Sequence, residues 1–321
     1  MNKVVCGKNG RLFLDHDANH VMLQHSGDLT FTAEQLNDWF ELLARRANFF
    51  QQKNIKFCFL IAPDAQSVFY DELPFEPSLR RPIHDFMERM APALTEVIHY
   101  PLDTLKALRS SNYTVYPKTD THWSSYSCFK IYQSLQGIID EEFLSDDEVY
   151  FDQINIVGDL GNKVVPERQS SFTVAKVKQQ KSQLIFNNGM SVRGRCQIFR
   201  NSSAVENGKV CLLFGDSFSY DTLAFFKESY DTFVFCHSAS IDYDLISLYK
   251  PNVVICEMAE RFLLNIPSDN VEFNIAEVFR QKLLLNYSEV EGERIISNIN
   301  EQASKLSFDE DMIFAHRFIK N

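Results

Sequence analysis

The sequence predicts an α/β protein: a parallel sheet flanked by helices, with a small β-rich insertion. Three observations carry this. Short apolar runs rich in β-branched and aromatic residues ("FCFLIA", "KVCLLFG", "DTFVFCH", "PNVVICEMA") have the length and composition of strands buried on both faces. Stretches of helical period separate them, so strand, helix and strand alternate. The chain has 321 residues, 45% of them hydrophobic and 23% charged, enough for a substantial core at ordinary globular composition.

In chain order, "FTAEQLNDWFELLARRANFFQQ" has apolar residues at helical spacing, with Thr32 and Glu34 near its start. "IKFCFLIAP" is a compact strand ending in Pro63. "LRRPIHDFMERMAPAL" reads as a helix, "TEVIHYP" as a short strand and "SSYSCFKIYQSLQGIID" as a helix. From about 145 to 205 short alternating runs separated by Asn, Gly and Ser mark the β-rich insertion. The α/β rhythm then resumes: "KVCLLFGDS" is a strand entering a tight turn, "YDTLAFFKES" a helix, "DTFVFCH" a strand, "DYDLISLYK" a helix and "PNVVICEMA" a strand. Past Pro267 the pattern is helical and charged. The expected organisation is one catalytic domain over residues 1–270 and a helical extension over 271–321 packed on it.

Charge and cysteine usage exclude several classes. A net charge of −11 disfavours a phosphate-tracking surface, so no nucleic-acid partner is expected, and it disfavours a polybasic membrane anchor. The apolar runs are too short to cross a bilayer, and "MNKVVCGKNGRLFLDHD" lacks a signal peptide's apolar core. Seven scattered cysteines without a CxxC pair suggest neither a zinc site nor a disulfide framework. A cytoplasmic location is the expectation. The 28 phenylalanines read as core packing. Asp15, His16, Asp17, His20 and His25 crowd one segment, but their spacing fits no metal motif, and no metal is expected.

Two motifs bear chemistry. In "LLFGDSFSY" an apolar strand runs into Gly215, Asp216 and Ser217 before a helix. The carboxyl end of a parallel strand is where ligands gather, and the N-terminus of the next helix favours developing negative charge. A serine needs a base to take its proton and a group to orient that base. In "KTDTHWSSYSCF" Asp120 and His122 supply both types. Side chains two apart meet on an extended or turn segment but not on a helix. The helix is therefore expected to begin around Trp123 to Ser125. His237, at the end of a strand, is a candidate to line the same site.

"GDSFS" at a strand end resembles the first block of SGNH hydrolases. The order, with "TDTHWS" ahead of the serine, resembles the alginate O-acetyltransferase family of the AlgJ and AlgX type. "GKNGRLFL", "FLIAPDAQSVFYDELP", "GDLGNKV" and "PNVVICEMAERFL" resemble further elements of that family, so the likeness runs from about Gly7 to Leu264. It implies a flavodoxin-like, SGNH-type sheet. It further implies that Ser217 takes an acetyl group, that His122 is general base and then acid, that Asp120 orients it, and that the Ser217 backbone N–H donates to the oxyanion. Asp216, Trp123, Tyr220, Asp64, His237 and Arg261 are possible lining residues. Glu257, Glu260 and Arg261 hold the family's E-x-x-E-R element, favoured as an ion-pair network. Ala65, after Asp64, replaces the family's lysine, and Arg11 replaces the tryptophan of its opening motif. Family members work outside the cytoplasm with a membrane partner that delivers acetyl groups.

The resemblance thus implies a carbohydrate O-acetyltransferase acting on a bacterial polysaccharide or other glycan, in association with a polysaccharide-synthesis system. Its acyl donor is expected to be soluble, acetyl-CoA foremost, with no bound cofactor. Two other readings stay open. A glycan O-acetylesterase would use the same triad with water as acceptor, and a glycan-binding protein would keep the fold without catalysis.

Overall fold

The computed structural model describes residues 3–139, 143–201 and 208–319. Positions 202–205 of the expected β-rich insertion, Asp140 of the expected helix and the outermost terminal positions lie outside the described residues. The strands are β1 (Val4–Cys6), β2 (Leu12–Leu14), β3 (Lys56–Ala62), β4 (Ile98–His99), β5 (Val149–Ile156), β6 (Ser170–Val177), β7 (Ser182–Asn187), β8 (Cys196–Asn201), β9 (Val210–Gly215), β10 (Thr232–His237) and β11 (Val253–Ala259). Seven of them make one sheet in the order β4-β3-β11-β9-β10-β8-β7. β9 runs parallel to both β10 and β11, and β3 parallel to β4, while β8 is antiparallel to β10 and to β7.

The fold is therefore mixed α/β with a mostly parallel central sheet and flanking helices. Parallel neighbours need a crossover, and the helices Ser219–Ser229 and Tyr243–Tyr249 lie in the connections from β9 to β10 and from β10 to β11. Every residue of β11 is buried, as are Cys211–Gly215 of β9. Helices on both faces leave such strands no polar side, which is why they read as unbroken apolar runs.

By internal contacts the chain forms two compact units. The first comprises Met1–Phe50, Phe59–Lys178 and Met258–Ile266. Its Ala33–Gln52 helix buries Trp39, Leu42, Leu43, Arg46 and Phe50, one stripe at helical spacing. Thr32 Oγ1 accepts the Gln35 N–H at 3.1 Å, and Gln35 Oε1 accepts the Thr32 N–H at 2.9 Å, a reciprocal cap that starts the helix. Trp39 packs with its ring 5.5 Å from both Phe59 and Phe86, and its indole N–H donates to the Leu263 carbonyl at 2.6 Å. β1–β2 and β5–β6 are separate antiparallel pairs. The β5–β6 hairpin covers the Ser125–Ser134 helix: Ser125 Oγ donates to Ala175 O at 3.1 Å, and Tyr126 meets Phe151 edge-on at 5.3 Å.

The second unit comprises Gln51–Cys58, Gln179–Glu257 and Pro267–Asn321. The β-rich stretch read from the sequence thus supplies two different things, the β5–β6 hairpin of the first unit and the antiparallel strands β7 and β8 of the main sheet. Residues past 271 are helical over Ile275–Asn286, Glu289–Ala303 and Asp309–His316. They fasten inside the second unit, where buried Asp311 accepts Arg200 at 2.9 Å and the Tyr249 hydroxyl at 2.9 Å.

Candidate active site

The segment Lys118–Ser124 is a turn rather than a strand, and the helix begins at Ser125 with Ser124 as its N-cap, whose Oγ accepts the Ser127 N–H at 3.2 Å. Within the turn, Asp120 Oδ1 accepts the His122 N–H at 2.8 Å and meets His122 Nδ1 at 2.9 Å. One carboxylate oxygen therefore sets both the backbone and the ring, the bond two residues on that Asp makes in tight turns. With Nδ1 donating to Asp120, the lone pair of the neutral ring lies on Nε2, the nitrogen that can accept a proton. The His122 side chain is 30% exposed and that of Asp120 16%.

Burial opposes charge on both members. For His122 the hydrogen bond and charge of Asp120, with the charge of Asp159, outweigh it and raise the pKa above the ordinary 6.5. For Asp120 the His122 ring, the His122 N–H and the Asp159 N–H outweigh it and lower the pKa. The dyad thus pairs a carboxylate held ionised with an imidazole made more basic.

The element Gly158–Asp159–Leu160 cradles this turn. Asp159 N–H donates to Asp120 Oδ2 at 3.1 Å, while Asp159 Oδ1 and Oδ2 accept the Thr121 N–H and hydroxyl at 2.7 and 2.6 Å. Leu160 N–H and Gly161 N–H donate to Thr119 O at 3.0 and 3.1 Å. Thr121, Gly158 and Asp159 were not among the expected site residues, although the G-D-L likeness pointed to the segment. Asp120, His122 and Asp159 each bring a potential ligand atom within 4.8 Å of the others. The hydrogen bonds just named already engage those atoms. Arg11, the departure from the opening motif, braces the same turn: its guanidinium donates to Glu72 at 2.8 Å and to the Tyr116 and Pro117 carbonyls at 3.2 and 3.3 Å. Trp123 is buried at 1% exposure.

Asp64 and Arg261 pair in a buried network of the first unit. Glu260 there accepts the Asp64 N–H at 3.0 Å, Ser67 Oγ at 2.6 Å and the Tyr100 hydroxyl at 3.0 Å. Burial pushes Asp64 up to about 7 against the pull of Arg261.

Ser217 belongs to the second unit. β9 ends at Gly215, and Asp216 and the half-buried Ser217 form the turn into the Ser219–Ser229 helix, with Ser217 O accepting the Tyr220 N–H at 3.3 Å. Asp216 Oδ1 accepts the Phe218 N–H at 2.8 Å. Beneath the turn, Glu257 Oε2 accepts the Asp216 N–H at 3.1 Å and Ser219 Oγ at 2.6 Å. Burial, then the charge of Asp216, raise the Glu257 pKa well above the usual range and favour its neutral form. Gly215 is required here because a Cβ would run into Ser219 Oγ and come within 2.9 Å of Glu257 Oε2. His237 pairs in register with Gly215 on the neighbouring strand, and its Nδ1 lies 2.7 Å from the Tyr220 hydroxyl. Burial lowers the His237 pKa to about 4.

Fold and dyad together define an α/β protein of the SGNH hydrolase-like class. Residues 4–184, more than half of the chain, match the SGNH hydrolase-like domain of the acetyltransferase AlgX, and the chain belongs to that family. The match contains Asp120, His122 and Asp159 and stops short of Ser217. No curated protein matches the chain in sequence. Among solved structures, PatB1 of Bacillus cereus is similar at a TM-score of 0.61 and 14% identity, over 81% of this chain and 96% of that one. A DHHW family protein of Eubacterium siraeum is similar at 0.54 and 15%, over 82% and 95%. The O-acetyltransferase domain of Pseudomonas putida AlgJ is similar at 0.51 and 13%, over 91% and 98%. At these identities the likeness is one of fold. No described helix is long and apolar enough to cross a membrane.

Proposed function

We propose that this protein is a serine-dependent O-acetyltransferase that moves an acetyl group to a hydroxyl of a bacterial polysaccharide or other glycan. The observation that carries the reading is the Asp120–His122 dyad, one carboxylate oxygen at 2.9 Å from Nδ1 of the ring, inside the segment matched to an acetyltransferase domain. Ser217 is the proposed nucleophile, at the end of β9 and ahead of a helix N-terminus that favours negative charge.

In the first half-reaction Ser217 Oγ attacks the acetyl carbonyl while its proton passes to His122 Nε2. The carbonyl–donor bond breaks, and the leaving group takes that proton. In the second half, a sugar hydroxyl gives its proton to His122 and attacks the acetyl-serine, and Ser217 Oγ leaves with the proton back. The Ser217 N–H is the proposed oxyanion donor. The proposed acyl donor is a soluble one, acetyl-CoA foremost, and association with a polysaccharide-synthesis system accords with the family.

The test is to incubate the protein with labelled acetyl-CoA and, separately, with an activated acetyl ester, and to map the label by peptide mass. The expected result is one acetyl ester on the peptide holding Ser217, absent in Ser217→Ala and chased onto added glycan faster than into free acetate. Label absent with both donors defeats the proposal. Label lost only as acetate replaces transfer by hydrolysis.

A further inference from the structure

Beside the turn that holds the proposed nucleophile lies a group of cations that form no ion pair among the described residues. β9 and β10 end side by side, with Gly215 opposite His237. Beyond that point the chain preceding β8 continues the pairing: His237 N–H donates to Arg195 O at 2.8 Å, and Gly194 N–H donates to His237 O at 3.0 Å. Arg195 is thereby fixed at the same strand ends as Ser217. Its guanidinium stands 4.8 Å from the centre of the Tyr220 ring, and Tyr220 lies one helical turn after Ser217.

The partners of Arg195 are neutral. Its NH2 group donates to Gln197 Oε1 at 2.9 Å, and the Tyr220 hydroxyl lies against His237 Nδ1. Lys282 donates to the carbonyls of Ser191 and Arg193, which draws a second element's charge to this corner. Arg193, Arg195 and Lys282 all act electrostatically on His237, as does the carboxylate of Asp216. Among the described residues none of the three cations forms an ion pair, whereas Arg11, Arg81, Arg200, Arg261 and Arg317 each hold a carboxylate. The chain as a whole carries a net charge of −11, so three cations without an ion pair at one corner stand against the overall balance.

A guanidinium held in place by neutral groups keeps donors for a planar anion and has lost little freedom by binding one. We infer that Arg195, seated on Tyr220 and His237 with Arg193 and Lys282 around them, forms an anion-binding subsite beside Ser217. It takes a carboxylate or phosphate carried by one of the two substrates. The inference rests on the proposed function only in calling Ser217 the acetylated residue.

Ser217→Ala protein, which cannot turn over, is titrated by calorimetry with three probes: oligogalacturonate for a carboxylate, neutral oligogalactose, and adenosine 3′,5′-bisphosphate for the phosphate end of a CoA donor. One anionic probe is expected to bind better than the neutral one, weakening as salt is raised. Arg195→Gln in the same background is expected to weaken it by roughly tenfold or more, the scale of a lost charge-assisted contact. Oligogalacturonate binding assigns the subsite to the acceptor, bisphosphate binding to the donor. The exposed Arg193→Gln, read the same way, keeps the test open should Arg195→Gln fold poorly. Equal binding of charged and neutral probes, or anion binding that neither substitution changes, overturns the inference. Anion selectivity without an acetyl ester on Ser217 keeps the subsite and removes the catalytic reading; an acetyl ester without anion selectivity does the reverse.

Discussion

Asp159 holds Thr121 at two points, accepting its N–H at 2.7 Å and its hydroxyl at 2.6 Å. Thr121 lies between Asp120 and His122, so this grip from a segment far along the chain fixes the turn that carries the dyad. Asp159→Ala leaves a Thr121 N–H and hydroxyl without acceptors, at a cost of about 1–3 kcal/mol. Urea unfolding should show that loss. Acetyl transfer should fall further than stability explains, because the His122 ring loses both its fixed turn and a charge that supports its protonation.

The pH profile should carry the mark of the dyad. His122 acts as base only when neutral, and its pKa is raised above 6.5. The acid limb of kcat/KM should therefore lie above that value, with activity present at higher pH and lost as pH falls through the raised pKa. Asp120→Asn removes the carboxylate that does most to raise it and leaves the burial that lowers it. The limb should move down while the rate drops roughly 10²- to 10⁴-fold. An unmoved limb would separate the titration from His122.

Gly158 is a point of backbone constraint. Its φ is +67°, and a Cβ there would strike the Thr119 carbonyl that Leu160 and Gly161 bind. Gly158→Ala should cost about 1–3 kcal/mol, measured by thermal or urea unfolding, and should lower activity with Ser217 chemically intact.

Glu257 tests the turn that carries Ser217. Its Oε2 accepts two hydrogen bonds, and its Oε1 is buried without a hydrogen-bond partner. A group favoured in its neutral form should tolerate the neutral isostere, so Glu257→Gln is expected to change stability by less than about 1 kcal/mol, whereas Glu257→Ala strips the Asp216 N–H and Ser219 hydroxyl of their acceptor at about 1–3 kcal/mol. Denaturant midpoints of the two variants decide it. A Gln variant as unstable as the Ala variant would show that the carboxylate is needed charged.

Much of this was legible because it is local. Buried strands must be apolar throughout, so β9, β10 and β11 announced themselves, and the Ala33–Gln52 stripe and its Thr32 cap follow from helical spacing. The Asp120–His122 turn was legible too, since two side chains two positions apart have few ways to meet. The division of the β-rich stretch was not. β5–β6 and β7–β8 have similar alternation, and only pairing partners distinguish a separate hairpin from the edge of a sheet. Nor was the role of Arg11 apparent. As a departure from a motif it looked like a loss, yet it bonds carbonyls more than a hundred residues away.

By itself, then, the sequence determined the α/β class, the parallel strands of the central sheet, a helix start between Trp123 and Ser125 and the chemistry of an Asp–His turn. Each depends on residues within a few positions of one another, where covalent geometry leaves little choice. The tertiary structure alone decided that Asp159 and Thr121 grip each other, that Glu257 lies beneath the Asp216 turn, and that Arg195 is left with neutral partners beside Tyr220 and His237. Those relations join residues from 25 to 42 positions apart. They exist only because burial and strand pairing bring distant backbone together, which no local pattern encodes.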